Sequence, residues 1–285
     1  MKNLIKKLAL ASLSLALGVG LYSKSNAEEE TWSKDKPVEV KVGVVGEDTR
    51  VWDDIAKRLE GEGINIKIVS FTDYNQPNEA LLSGDVDLNS FQHHSFLNNF
   101  LKEKKAEGEI VPIGDTLLAP FGFYSNNIKD IKDIKEGDTI VVPDDPTNET
   151  RALLLLQKNG LIKVKGTIED LITKKDITEN PKNLKIEELS ADQTARSLSD
   201  KSVALAGINS GMAVDAGLSL KDDSVIAEEA GEELKPYINL IAARKEDKDK
   251  KVFKRIVEEY QSETTEKLLD KLYGGNQIEA WNFDK

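Results

Sequence analysis

The chain has no cysteine among its 285 residues. That excludes disulfides, thiolate nucleophiles, cysteine-bound metals and a lipid anchor attached through a cysteine. Histidine is nearly as scarce, since the only two, His93 and His94, are adjacent. Adjacent histidines point apart on a strand and lie about 100° apart on a helix, so they make a poor chelating pair. One ring facing a cleft or the interior and the other facing water is the plain structural alternative. Nucleophile–base pairs are correspondingly few. Gly207-Ile-Asn-Ser-Gly211 sets its serine one place too late for a G-x-S-x-G turn, and no G-x-G-x-x-G opens a helix. Carboxylates abound, but an acidic surface supplies them without catalysis. No enzyme, catalytic residue, metal or cofactor is expected.

Basic charge is also short: Lys and Arg total 39 against 51 Asp and Glu, a net of −12. Such a surface repels nucleic acid and anionic membranes, and no basic stripe interrupts it. The ligand stays open, because a cleft can be locally positive on an acidic body. Long apolar runs are missing except for Leu8–Leu21, shorter than the roughly 20 residues that span a bilayer. With Lys2, Lys6 and Lys7 before it and Ser25-Asn26-Ala27 after it, this run reads as a secretory signal (1–27) cleaved after Ala27. The protein is therefore expected to be exported (extracellular, cell-surface or periplasmic) with no lipid anchor. Stability must come from a core alone, for which residues 28–285 suffice.

What is present is a repeated α/β pattern. Residues 28–37 are polar and expected to form a flexible tether. Val38, Val40, Val42 and Val44 alternate as a strand, Trp52, Ile55 and Leu59 keep helical spacing, and Ile64, Ile66 and Ile68 alternate again. Strand, helix, strand within about 35 residues predicts a βαβ unit and a parallel sheet. A second unit begins with a strand at 139–142 and a helix at 151–158. Further strands are expected at Val203–Gly207 and Tyr237–Ala243, and a helix pair over Lys248–Leu272. Two α/β lobes follow, with a crossing near Phe121–Asn126 and a return near Leu234–Ile241.

Two segments carry candidate chemistry. In Val141-Val-Pro-Asp-Asp-Pro-Thr-Asn-Glu-Thr-Arg151 a strand ends at Pro143, and Pro146, Thr147 and Asn148 open a helix. Arg151 follows Asn148 by three residues and shares its face. Unpaired helix N–H groups, a positive dipole end and a two-pronged guanidinium would suit a small carboxylate. A capped helix with its arginine in water is the alternative. In Ser70–His93 a helix over Pro77–Ser83 ends at Gly84, and a short strand at Val86–Leu88 delivers Phe91 and His93 just beyond its carboxyl end, where open α/β sheets bind ligands. Tyr74, Phe91 and Phe96 could wall an apolar side chain and His93 could add a polar contact, or the rings could be core packing.

These residues resemble the NlpA/MetQ family of ABC-transporter substrate-binding proteins. The matching blocks run in the family's order through nearly all of the exported chain. They include Tyr74 with Pro77-Asn-Glu-Ala-Leu81, Gly84-Asp-Val-Asp87, Phe91-Gln-His93, Asp145-Pro-Thr-Asn148 with Arg151, Ile208-Asn209 and Pro236-Tyr-Ile-Asn-Leu-Ile241. The resemblance implies a type II periplasmic-binding-protein fold, an α/β fold of two lobes with a ligand cleft between them. Lobe 1 would be 38–122 and 240–285, and lobe 2 would be 123–239. It implies a monomeric receptor for an amino acid, L-methionine first, working with an ABC-transporter membrane permease. Arg151 and Asn148 would bind the carboxylate, Asn209 and Asn239 would meet the amino and carboxylate groups, and Tyr74, Phe91, His93 and Phe96 would contact the side chain.

Three departures stand out. The family's anchoring cysteine is missing, Ser95-Phe96 stand where Pro-Tyr is common, and Met212 stands where an aromatic is usual. They leave open a surface interaction protein that kept the fold and binds another amino acid or a short peptide without transport.

Overall fold

The alternating valines form β1 (Val38–Val45), with Val40, Val42 and Val44 buried. The next helix, α1 (Arg50–Glu60), buries Val51, Trp52, Ile55 and Leu59, one apolar stripe at helical spacing. The chain then returns parallel to β1 as β2 (Ile64–Phe71), so the predicted βαβ unit is present. This is a computed structural model that describes residues 31–283, and the signal sequence with its cleavage site lies outside the described residues. The polar stretch expected to be a tether is tied down from Trp32 onward. Trp32 packs on the core beside β1, and Ser33 and Lys36 pair in a turn beneath Gly63. Gly63 has φ +82, and a Cβ there would lie 2.2 Å from the Ser33 backbone, so this crossing requires glycine.

Next come α2 (Gln76–Ser83), ended by Gly84 in the left-handed region, β3 (Leu88–Asn89), α3 (His94–Lys104) and β4 (Ile110–Leu118). After residues 119–121 the chain enters a second sheet as β5 (Gly122–Tyr124). The second half continues with β6 (Thr139–Pro143), α4 (Pro146–Lys158), a separate antiparallel pair β7 (Lys163–Val164) and β8 (Ile177–Glu179), then β9 (Lys185–Leu189), α5 (Ala191–Ser197) and β10 (Val203–Ile208). Two short helices, α6 (Ser210–Asp215) and α7 (Leu220–Asp223), lead to β11 (Ser224–Ala227). Residues 228–237 cross back, and β12 (Ile238–Arg244), α8 (Lys251–Tyr260), α9 (Glu263–Tyr273) and β13 (Ile278–Glu279) complete the first half.

The first sheet has the order β2-β1-β3-β12-β4-β13 and the second β9-β6-β10-β5-β11. Both are mixed, where the βαβ units alone predicted parallel sheets. The strand that crosses from the other half enters against the direction of its neighbours: β12 runs antiparallel to β3, and β5 antiparallel to β10. Side chains along β12 alternate between two cores. Ile241 and Ala243 face α1, α8 and α9, while Leu240 and Ala242 face α2 and α3. The second sheet is sandwiched likewise: Ile140 and Val142 pack towards α4, and Val141 packs towards α5 and α6. Each half thus has its own buried sheet, and the carboxyl ends of β1, β3, β6 and β10 lead to a common cleft.

Candidate functional site

Asp145 is the N-cap of α4 and Pro146 its first residue, as the sequence predicts for a helix start. The open anion site expected there is absent. The Asp145 carboxylate fills the helix end itself, accepting the Asn148 N–H at 3.0 Å and the Thr147 hydroxyl at 2.9 Å. Asn148 Nδ2 also donates to the same carboxylate, 3.1 Å from Oδ1 and 2.9 Å from Oδ2. Burial pushes the Asp145 carboxyl up, and the hydrogen bonds from Asn148 and Thr147 pull the other way.

A carboxylate that only accepts fixes the orientation of Asn148. Its nitrogen turns to Asp145 and its oxygen turns away, where it accepts Asn209 Nδ2 at 2.8 Å and His93 Nε2 at 3.3 Å. The Phe96 N–H donates to His93 Nδ1 at 3.0 Å, so the His93 proton sits on Nε2, as the bond to Asn148 requires. Burial first, and the nearby Arg151 charge second, depress His93 to about 3, so the ring is neutral. One further atom of this network is conspicuous. Asn209 Oδ1 is buried and accepts nothing, a condition that costs about 1–3 kcal/mol unless a donor arrives.

Arg151 is buried, not in water. Its two-pronged edge is already engaged. Nε donates to Glu228 at 2.8 Å, and Nη2 donates to Glu228 at 2.6 Å and to the Ala119 carbonyl at 2.9 Å. The Tyr237 ring lies 4.4 Å from the guanidinium carbon. Only Nη1 has no hydrogen-bond partner among the described residues. The guanidinium therefore offers one nitrogen end-on, with much of its charge offset by Glu228. Glu228 also accepts the Phe121 N–H at 2.8 Å, which ties the arginine to both crossings between the sheets. No motif in the sequence singled out Glu228, since a glutamate beside another at the end of a short strand looks like any acidic surface.

The opposite wall belongs to the first half. Tyr74, Phe91 and Phe96 form a ring cluster with centroids 5.9–6.1 Å apart, and His93 meets Phe96 edge-on at 6.2 Å. A buried amide triad holds the segment that carries them. Asn78 and Gln92 exchange two hydrogen bonds of 2.7 Å, while Asn89 donates to Asn78 at 2.9 Å and accepts from Gln92 at 3.0 Å. All three are buried, and each satisfies the others. Asn239 pairs with His93 as an isolated bridge, which holds the start of β12 against the same segment.

All eight residues singled out in the sequence (Tyr74, Phe91, His93, Phe96, Asn148, Arg151, Asn209 and Asn239) line one cavity of about 160 Å³. That is room for on the order of ten waters or one small ligand. The same cavity reaches Met212, noted in the sequence only as a departure from the family, and Trp52, Asp215, Tyr260 and Tyr273, which the sequence did not assign to a site. Trp52 and Tyr260 also belong to the buried core of the first half, so that core itself closes one side of the cleft. Among the described residues no group of three His, Asp or Glu is placed to hold a metal, and no helix is long and apolar enough to cross a membrane.

Two sheets of one plan, joined by two crossings and enclosing a cavity walled from both, define a type II periplasmic-binding-protein fold of two lobes. Solved structures agree. The chain is 44% identical to a nutrient binding protein from Burkholderia cenocepacia bound to methionine, with a TM-score of 0.79 over 85% of this chain and 99% of that one. The substrate binding protein of a methionine transporter from Streptococcus pneumoniae is 38% identical, with a TM-score of 0.80 over 85% and 96%. The D-methionine-binding lipoprotein MetQ of Salmonella typhi is 42% identical over 248 residues, 86% of this chain and 89% of that protein. Residues 40–281 match the NlpA lipoprotein family, and the chain belongs to it.

Proposed function

We propose that this chain is the extracytoplasmic substrate-binding component of an ABC importer, a non-enzymatic receptor that holds one free amino acid, L-methionine first, between its lobes. The observation that carries the reading is a pair of open valences in one cavity. Among the described residues, Arg151 Nη1 is a donor without an acceptor, and Asn209 Oδ1 is a buried acceptor without a donor. A zwitterion's carboxylate and ammonium supply the two missing partners. Asn148 fixes Asn209 in place, Asn239 lies beside His93 to meet the same polar groups, and Tyr74, Phe91 and Phe96 offer faces to a thioether. His93, neutral at physiological pH, adds no charge that would repel the ammonium.

The lobes are taken as 38–122 with 240–285, and 123–239. Their closure would bury the ligand and present a joined surface to the permease, with one receptor molecule acting as a monomer. The absence of cysteine separates this chain from lipid-anchored relatives, so it is proposed to be exported without that anchor.

Native mass spectrometry of the purified protein tests the class, and calorimetry with L-methionine, D-methionine and L-leucine tests the ligand. A bound mass of methionine, and methionine bound more tightly than leucine, is the expected result. The names of relatives specify D-methionine, so the enantiomer series is part of the test. If no amino acid binds, the reading fails. The missing cysteine favours a second reading, a surface protein that binds without transport. Capture of the permease in detergent, or loss of growth on limiting methionine after deletion, would rule that reading out.

A further inference from the structure

We propose that Asp215 is a closure latch, a positioning residue that holds the two lobes together over the ligand. It ends α6, in the lobe of the second sheet. Its carboxylate reaches across the cleft to the loop after β1, where Oδ2 accepts the Glu47 N–H at 2.9 Å and Oδ1 accepts the Asp48 N–H at 3.0 Å. Two successive backbone N–H groups form a concave anion seat, and Gly46 shapes it. Gly46 has φ +99, and a Cβ there would stand 2.4 Å from Asp215 Oδ2. The seat is braced from behind, because Arg50 and the Tyr273 hydroxyl, at 2.9 Å, hold the Asp48 side chain.

The residues just before each partner are exchanged between lobes. Val45, ahead of Gly46, packs on the core of the second lobe, and Val214, ahead of Asp215, packs on the core of the first. At the other end of α6, Ser210 meets Asn276 and Gln277 of the first lobe at 3.5 and 3.4 Å. The N-cap of this short helix is Asn209, whose buried oxygen lacks a donor. A ligand ammonium at one end of α6 and the latch at the other therefore act on one rigid turn of chain. Neither Asp215 contact can exist once the lobes part, so the latch stabilises only the closed state and raises affinity by raising its population. The contact is exposed, which sets its strength near that of a good surface ion pair.

This rests on the two-lobed receptor reading but not on the identity of the ligand. The test exploits the lack of cysteine. Lys57→Cys in α1 and Lys201→Cys before β10 place one spin label on each lobe of the full chain, and a distance distribution reports closure. Asp215→Ala is expected to move the distribution toward longer distances and to speed release of L-methionine by about fivefold. Gly46→Ala, made from the other side of the contact, should do the same. Asp215→Asn, which keeps one acceptor oxygen, should fall between. Unchanged distances together with an unchanged release rate in Asp215→Ala would overturn the latch. If L-methionine does not bind the parent protein, the ligand reading fails, and the distances without ligand still decide the latch: a shift on Asp215→Ala supports it and none refutes it.

Discussion

The two walls of the cleft are built on different physics. The second-lobe wall is a chain of buried and half-buried polar groups, Asp145, Asn148, Asn209, Arg151 and Glu228, in which almost every donor and acceptor is matched before a ligand arrives. The first-lobe wall is a set of rings that touch one another edge-on and make few directional demands. Hydrogen bonds in a dry site are exacting, because a group left unpaired costs more than a bond gains. Apolar contacts scale with area and adapt. The polar wall should therefore tolerate almost no substitution, and the aromatic wall should tolerate many while trading one side chain for another.

The largest effect expected follows from the polar wall. Arg151→Ala removes the one open guanidinium nitrogen and strands the buried Glu228 carboxylate. Binding of methionine should weaken at least about tenfold, and the fold should lose about 3–5 kcal/mol, the usual result of breaking a buried ion pair. Glu228→Gln keeps the guanidinium, and should destabilise the fold less while leaving binding measurable. An Arg151→Ala protein that unfolds normally and binds with unchanged calorimetric affinity would remove the arginine from the site.

The amide triad blurs the contrast usefully, since it is a polar device that supports the apolar wall. Gln92→Leu leaves Asn78 and Asn89 short of partners, and denaturant unfolding should show a loss of about 2–3 kcal/mol. Because Gln92 sits between Phe91 and His93, affinity should fall several-fold as well. If stability falls and affinity does not, the rings do not depend on the triad for their placement.

The sequence made much of this legible, and the misses share one cause. Periodicity found the strands and helices of both βαβ units because a buried face repeats at 2.0 or 3.6 residues. The strand direction of β12 was not legible, because it depends on a partner sheet more than a hundred residues away in the chain. The Asp-Pro-Thr-Asn-x-x-Arg start reads as a clamp or a plain capped helix, and its Asn148 and Arg151 do line the cavity. Local spacing could not show that Asp145 would occupy the helix end, or that Glu228 would take the two-pronged edge of Arg151. The first depends on side-chain rotation rather than spacing, and the second spans 77 residues between side chains common on any acidic surface. The ring cluster was readable as a set of aromatics, but the triad that holds it was not, since Asn and Gln at 78, 89 and 92 look solvent-facing until a fold buries them.

Protonation separates the walls next. Burial, then the neighbouring Glu188 charge, push Glu149 on α4 up to about 7, even though it accepts the Lys174 N–H at 2.8 Å. A carboxyl raised from 4.5 contributes stability that is full below that value and is lost as pH rises through about 7. His93 has the opposite sign. Depressed from 6.5 to about 3, it contributes stability that is full above 6.5 and is lost as pH falls toward 3. Thermal scans between about pH 5 and 8 should show the parent protein losing ground to Glu149→Gln as pH rises. Over the same range His93 stays neutral, so methionine affinity should show no step near 6.5. A step there would mean that the ring titrates and that burial and the Arg151 charge hold it neutral less firmly than the geometry shows.

The smallest effects belong to the aromatic wall, and they concern choice rather than strength. Phe96 packs among Tyr74, Phe91 and His93, and Met212 lines the cavity from the other lobe beside Tyr74. The family resemblance implied a tyrosine at the first position and an aromatic at the second. Phe96→Tyr adds a hydroxyl that must find a partner in the cleft, and Met212→Phe replaces an adaptable thioether with a rigid ring. Neither side chain hydrogen-bonds Arg151 or Asn209 among the described residues, so overall affinity should change little while the preference for methionine over leucine shifts by less than about tenfold, the scale of a methylene-sized difference in an apolar pocket. Competition calorimetry with both amino acids reads this ratio directly. A ratio unmoved in both variants would mean that the rings enclose the side chain without discriminating it, and selectivity would then have to lie at the Trp52 and Tyr260 end of the cavity.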